Sequence, residues 1–245
     1  MRVLTIVHED DAGPGVFGPV LAGAAVELDT WVPARRSQPP GAADAYDAIL
    51  SFGGSIHPHQ QQLHPWLVTE KRFLATALAG EVPLLGVCLG AELIAAVAGG
   101  AVTHMAHPEI GWYEVVLTDA GRDDPLLGPV GERFEALEWH SYAVALSPSA
   151  DATELPSGVT ALARSSNCLQ AYRIGAGAWG IQFHAEVTDA DFQHWLDTYT
   201  VDEDAVREGI DPEVLARASA PRMPAWHELG SGLCARFLET AASLR

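Results

Sequence analysis

The chain has 245 residues, 48% of them hydrophobic, and carries 32 acidic against 14 basic side chains, a formal net charge of −18. A chain of this size can bury a large core, and the acidic excess argues against non-specific binding to nucleic acid or to an anionic membrane. The cysteines Cys88, Cys168 and Cys234 are odd in number and widely spaced, no apolar run approaches transmembrane length, and no leader-like segment opens the chain, so a cytoplasmic protein without a disulfide framework is expected.

In chain order, Val3 to Val7 reads as a buried strand, followed by the polar run His8-Glu9-Asp10-Asp11 and a short helix from Val16 to Ala24. Val26 to Trp31 is a second strand and Asp47 to Ser51 a third, with Phe52-Gly53-Gly54-Ser55 at its end. The segment Ile56 to His64 holds three histidines, but no cysteine or carboxylate lies near them, so it reads as a polar loop over a site mouth, and no metal is expected. Pro65 to Leu78 is an amphipathic helix with Leu67, Phe73, Leu74 and Leu78 inward and Glu70, Lys71 and Arg72 outward.

Later segments continue the alternation. Ala101 to Thr103 is a short strand, 104–108 a loop, and Tyr113 to Leu117 a strand. Phe134 to Trp139 begins another strand, followed by His140-Ser141-Tyr142. Val159 to Arg164, Leu169 to Ile174 and Ala178 to Phe183 complete the strands. From about residue 189 to 245 the chain reads as an acidic helical extension, with Asp202-Glu203-Asp204 at a helix start, where acids are favoured. Strands alternating with helices predict an α/β fold with a doubly wound, mostly parallel central sheet, helices on both faces and ligands at the strands' carboxyl ends, in the flavodoxin-like manner. Without repeats or linkers, residues 1–245 read as a single domain.

The stretch from Pro83 to Gly100, PLLGVCLGAELIAAVAGG, is an apolar strand followed directly by apolar residues at helical spacing. Cys88 sits between strand and helix, with Gly86 and Gly90 two residues to either side. Small neighbours are what a sharp strand-to-helix turn requires, and a thiol at a helix N-terminus is favoured as thiolate. By itself such a cysteine is as readily an inert buried residue. Far downstream, AWGIQFHAEV ends a buried strand in His184, with Glu186 two residues on and able to share its side of the chain. A thiol, an imidazole base and a carboxylate that orients it form a nucleophilic set.

The motifs GVCLGAE and GIQFHAE resemble the two signatures of class I glutamine amidotransferases, and the order of elements between them is similar. The resemblance implies that Cys88 is the nucleophile, His184 the base and Glu186 its orienter. It implies an oxyanion hole from the amides of Gly54 and Leu89, and a glutamine-holding segment at His140, Ser141 and Tyr142. The reaction implied is hydrolysis of a glutamine side-chain amide through a γ-glutamyl thioester, which requires no metal and no organic cofactor. Where the family commonly has Gln, this chain has Glu92, a carboxylate near the expected pocket. It can meet a substrate ammonium, or serve as a tolerated residue of the first helical turn. Three readings stay open: a glutaminase or glutamine amidotransferase whose ammonia goes to a synthetase on a separate chain; a γ-glutamyl hydrolase or peptidase; and a non-catalytic binding protein. The intact Cys88, His184 and Glu186 speak against the third.

Overall fold

The structure is a computed structural model and describes residues 1–145 and 158–244. Among the described residues nine strands form one sheet: β1 (Arg2–Ile6), β2 (Glu27–Trp31), β3 (Ala48–Ser51), β4 (Leu84–Val87), β5 (Ala101–Leu117), β6 (Arg133–Ala145), β7 (Val159–Arg164), β8 (Leu169–Ile174) and β9 (Ala178–Ile181). Their spatial order is β2-β1-β3-β4-β9-β8-β7-β5-β6. The first five in that order are parallel, and every pairing from β9 to β6 is antiparallel.

The mostly parallel, flavodoxin-like sheet expected from the sequence is therefore corrected to a mixed one. The antiparallel half escaped prediction because residues 101–117 form one continuous strand instead of two short ones. It pairs along its length with β6, with a register shift between His104 and Glu109. The polar residues His104, His107 and Glu109 break the apolar pattern there, so the segment imitates a loop in sequence.

Helices cover both faces. α1 (Phe17–Gly23) and α8 (Met223–Ser243) pack on one face with Val3, Leu50, Leu85 and Val87; α5 (Asp189–Thr198) adds Phe192 and Leu196 to that layer. α2 (Trp66–Ala79) and α3 (Leu89–Val97) pack on the other with Leu4, Ile6, Ile49 and Leu84. Alternate residues of each strand feed opposite layers, as the period of two demands. Buried on both faces, the parallel strands are continuous apolar runs. The single turn α4 (Asp119–Arg122) follows β5, capped by the Thr118 side chain. Beyond α5, α6 (Glu203–Arg207) begins at Asp202, whose carboxylate accepts from the amides of Asp204 and Ala205, so the acidic run is the helix start expected; α7 (Pro212–Ser219) follows. No helix among the described residues is long and apolar enough to cross a membrane.

Candidate active site

The parallel strands β1, β3, β4 and β9 point the same way, and their carboxyl ends deliver His8, Gly53-Gly54, Cys88 and His184 to one edge of the sheet. Cys88 is the residue between β4 and α3. Its backbone has φ +48° and ψ −108°, in the left-handed half of conformational space that few non-glycine residues occupy. Three main-chain bonds hold the strained turn: Cys88 N–H donates to Ile181 O at 2.8 Å, Gly90 N–H to Phe52 O at 3.1 Å, and Glu92 N–H to Cys88 O at 2.9 Å. The Gly-x-Cys-x-Gly pattern has a steric origin. A Cβ on Gly90 would stand 2.0 Å from the carbonyl oxygen of Ser51 in β3, and one on Gly86 2.5 Å from Ala91 N. Only bare backbone lets α3 start this close to the sheet.

His184 and Glu186 follow β9. His184 Nδ1 lies 2.8 Å from Glu186 Oε1, and both side chains are buried. The segment is anchored through its main chain. His184 N–H donates to Leu137 O at 2.9 Å, Val16 N–H to Glu186 O at 2.7 Å, and the Trp226 indole to His184 O at 2.8 Å. The Trp195 ring meets the imidazole edge-on at 4.8 Å between centroids. Gly53 lies between base and thiol: a Cβ there would be 3.0 Å from His184 Cε1 and 3.7 Å from Cys88 Cβ. Gly54 packs against His8 and Leu89. The two glycines thus run beside the thiol and the imidazole.

Electrostatics at the thiol depart from the expectation of a readily formed thiolate. Burial, then Glu92 and Glu186, push the Cys88 thiol well above its ordinary value, against a lowering by the Leu89 N–H. Glu92 is itself buried, and burial raises its carboxyl to about 8 against the opposing hydrogen bond from Gln182. Burial thus favours the uncharged form of Glu92, the closest carboxyl counterpart of the family's amide, over the anion considered from the sequence.

The segment expected to hold substrate lies on β6. His140 is buried there, with Nδ1 2.7 Å from Tyr142 O and Nε2 3.1 Å from Glu109 Oε2. Its side chain sits among carboxylates and is tied to them, whatever its backbone does. Ser141 bonds to the Asp204 side chain, helping to hold that carboxyl low against the opposing effect of burial. The Tyr142 ring is 3.9 Å from the His57 ring, 5.5 Å from His59 and 5.0 Å from His104. The histidine-rich 56–64 segment thus leans on the β5–β6 hairpin, and burial, with His59 and His104 nearby, lowers His57 to about 4.

Sequence reasoning missed a second layer behind the Gly53-Gly54 loop. His8 is fully buried at the end of β1, with Nδ1 3.0 Å from Gly53 O and Nε2 3.0 and 3.1 Å from the two oxygens of Glu70. Ser51 Oγ donates to the same carboxylate at 3.3 Å. Glu70, expected to face outward from α2, is completely buried. It occupies the same helix face as Leu67, Phe73, Leu74 and Ala77; its position in the helical period was the available signal. Burial works against charging His8, but Glu70 outweighs it and raises the imidazole above its ordinary value.

A strained thiol elbow at the carboxyl edge of a mixed α/β sheet, with a histidine–carboxylate pair beside it, is the arrangement that nucleophilic thiol chemistry requires. Comparison with known proteins agrees. Residues 21–200 match the family model of class I glutamine amidotransferases. The glutamine amidotransferase-like protein YfeJ of Salmonella typhimurium is 30% identical over 194 residues, 77% of this chain and 77% of YfeJ. A glutamine-hydrolyzing GMP synthase subunit of Saccharolobus solfataricus is 36% identical over 109 residues, 44% of this chain and 52% of that protein. A glutamine amidotransferase crystal structure from Thermotoga maritima superposes with a TM-score of 0.83 at 24% identity, covering 98% of both chains, which speaks to the fold. The chain belongs to the class I glutamine amidotransferase family.

Proposed function

We propose that this chain hydrolyses the side-chain amide of glutamine through a γ-glutamyl thioester. The observation that carries the reading is the backbone-anchored His184–Glu186 pair beside a conformationally strained Cys88. Cys88 Sγ gives its proton to His184 and attacks the amide carbon. The oxyanion that forms takes hydrogen bonds from the amides of Gly54 and Leu89. His184 then protonates the departing ammonia, and water, activated by the same imidazole, releases glutamate and regenerates the thiol. Glu186 holds the imidazole orientation and stabilises its cation. A thiol that stays protonated in the free site fits a nucleophile deprotonated by its base only as substrate arrives.

His140, Ser141 and Tyr142 hold the amino-acid end of the substrate, chiefly through their main chain. Glu92, uncharged near neutrality, lines the pocket as a stand-in for an amide. The GMP synthase relatives are themselves subunits, which supports ammonia transfer to a synthetase on a separate cytoplasmic chain. The test is a substrate screen of free glutamine against γ-glutamyl peptides and amides, reading ammonia and glutamate. Turnover of glutamine with Cys88-dependent release of both products is expected; turnover confined to γ-glutamyl peptides would move the chain to the hydrolase reading, and none at all to the binding reading.

A further inference from the structure

Beside the proposed catalytic site, four side chains converge inside the antiparallel half of the sheet. Glu109 and His140 are register partners on β5 and β6. Glu138 precedes His140 by two on the same strand, and Cys168 stands at the turn before β8. Glu109, Glu138 and His140 are buried and Cys168 is half-buried. His140 Nε2 lies 3.1 Å from Glu109 Oε2 and 3.4 Å from Glu138 Oε2, and Cys168 Sγ lies 3.4 Å from Glu109 Oε2. One donor atom from each of Glu109, His140 and Cys168 falls within 4.8 Å of the others.

Glu109 takes hydrogen bonds from Asn167, Gln170 and Cys168, but the chemistry between His140 Nε2 and Glu138 is one-sided. Tyr142 O is a carbonyl and can only accept, so His140 Nδ1 carries a proton and donates it across 2.7 Å. In the neutral imidazole that leaves Nε2 as a lone pair. It would then face two carboxylate oxygens, which are acceptors as well. Neither oxygen of Glu138 has a hydrogen-bond partner among the described residues, although the side chain is fully buried. Acceptors that converge in a dry interior are costly unless a cation joins them. A proton can do so, either a second one on His140 or one on Glu138, whose carboxyl burial and then Glu109 push well above its ordinary value, and so can a metal ion.

We propose that Glu109, Glu138, His140 and Cys168 form a binding site for a divalent transition-metal ion, with zinc the ion of best fit. The donor set of one imidazole nitrogen, one sulfur and two carboxylate oxygens is what zinc accepts. Metal–ligand lengths of about 2.0–2.3 Å in a tetrahedron place neighbouring donors roughly 3.3–3.8 Å apart; the separations of 3.1 Å (Glu109–His140), 3.4 Å (Glu138–His140) and 3.4 Å (Glu109–Cys168) approach that spacing, while Glu138 stands outside the three donors that lie within 4.8 Å of one another and must move toward them to complete the set. Without a metal the Cys168 thiol donates to Glu109 Oε2 at 3.4 Å; with a metal bound the same sulfur is a ligand.

The outer layer of such a site is also present. His140 Nδ1–H donates to a backbone carbonyl, the arrangement that fixes a ligating histidine's tautomer. Asn167 Nδ2 donates to Glu109 Oε1 at 2.9 Å and Gln170 Nε2 to Glu109 Oε2 at 2.6 Å, orienting that carboxylate. On binding, the Cys168 thiol loses its proton to solvent and coordinates as thiolate. The ion would tie β5, β6 and the turn before β8 together directly behind Ser141 and Tyr142. The site stands on this cluster alone and does not depend on the reaction proposed for Cys88.

The experiment uses the full chain expressed with zinc in the medium and purified without chelator. Elemental analysis should find one zinc per chain. Protein produced in cobalt-supplemented medium should show the visible bands of tetrahedral cobalt and a near-ultraviolet thiolate-to-cobalt charge-transfer band. Cys168→Ser should abolish the charge-transfer band, and Cys88→Ser and Cys234→Ser should leave it unchanged. Glu138→Gln, which keeps shape and removes the charge, should lower retained metal by tenfold or more at equal chelator exposure. Wild-type protein that takes up neither zinc nor cobalt would overturn the proposal; both ring nitrogens of His140 protonated by nitrogen NMR would then identify a proton as the joining cation. A thiolate–cobalt band that survives Cys168→Ser would overturn it as well.

Discussion

Gln182 Nε2 lies 3.4 Å from Glu92 Oε1, while Glu92 Oε2 has no hydrogen-bond partner among the described residues. A carboxyl so buried and so sparsely bonded keeps its proton, and its value of about 8 follows from burial first. Glu92→Gln should therefore leave turnover near neutrality within a few-fold of the parent. The reaction of Cys88 with iodoacetamide should match in the two proteins below pH 8 and become faster in the variant above it, where only the parent gains a negative charge beside the thiol. Equal rates across the whole range would place Glu92 out of electrostatic reach of Cys88.

The same carboxyl links stability to pH. Between its ordinary 4.5 and about 8, the folded chain holds the Glu92 proton and the unfolded chain has lost it. The folded state then binds more protons, so stability falls as pH rises through that window, by up to about 1.4 kcal/mol per unit. Urea midpoints of Glu92→Gln should gain on the parent from pH 4.5 upward and level off above 8.

His8 and Glu70 form a pair whose stability also depends on pH. An imidazole raised by a buried carboxylate gives stability that is fully present below its unfolded value of 6.5 and is lost as pH rises through the higher folded value. Glu70→Gln should destabilise the chain by roughly 3–5 kcal/mol, as breaking one side of a buried pair does. It should also weaken the hold of His8 on the Gly53 carbonyl, since a neutral imidazole donates less strongly than a charged one, lowering kcat more than it raises KM. A variant as stable as the parent at pH 6 would show that His8 is not charged in the fold.

Cys88→Ala should abolish ammonia release and retain the fold, because alanine is no worse than cysteine at φ +48°. A glutamine-like affinity label should modify Cys88 ahead of Cys168 and Cys234, read by peptide mass spectrometry. Cys234 is fully buried, and burial raises it to about 12. Labelling spread evenly over the three would sink the assignment of Cys88.

His184→Ala should lose nearly all activity, and Glu186→Gln less, since an amide oxygen still accepts from Nδ1 and only the charge supporting the imidazolium is gone. A kcat loss of roughly ten- to ten-thousand-fold spans the range from a well-held to a misoriented base. Parent-like kinetics for Glu186→Gln would reduce the proposed triad to Cys88 and His184.

Consecutive residues were enough to read the parallel half of the sheet and what its strands deliver. Strands buried on both faces are continuous apolar runs, and Gly86, Cys88 and Gly90 are spaced by a local steric need that β4 and α3 satisfy wherever they occur. His184 and Glu186 were legible for the same reason, being two residues apart on one chain segment. Features that depend on a distant partner waited for the assembled fold. Glu70 is an ordinary helix-surface carboxylate until His8 arrives from 62 residues away. Glu92 becomes a neutral acid only because β9 and its own helix take it out of water. Residues 101–117 look like two strands and a loop until β6 supplies hydrogen bonds along the whole length. The cluster of Glu109, Glu138, His140 and Cys168 has no sequence spacing that marks it, since two strands and a turn bring it together. Local sterics and hydrophobic period are written in neighbouring residues; burial of charge and pairing of polar groups across the chain are set only when the sheet closes.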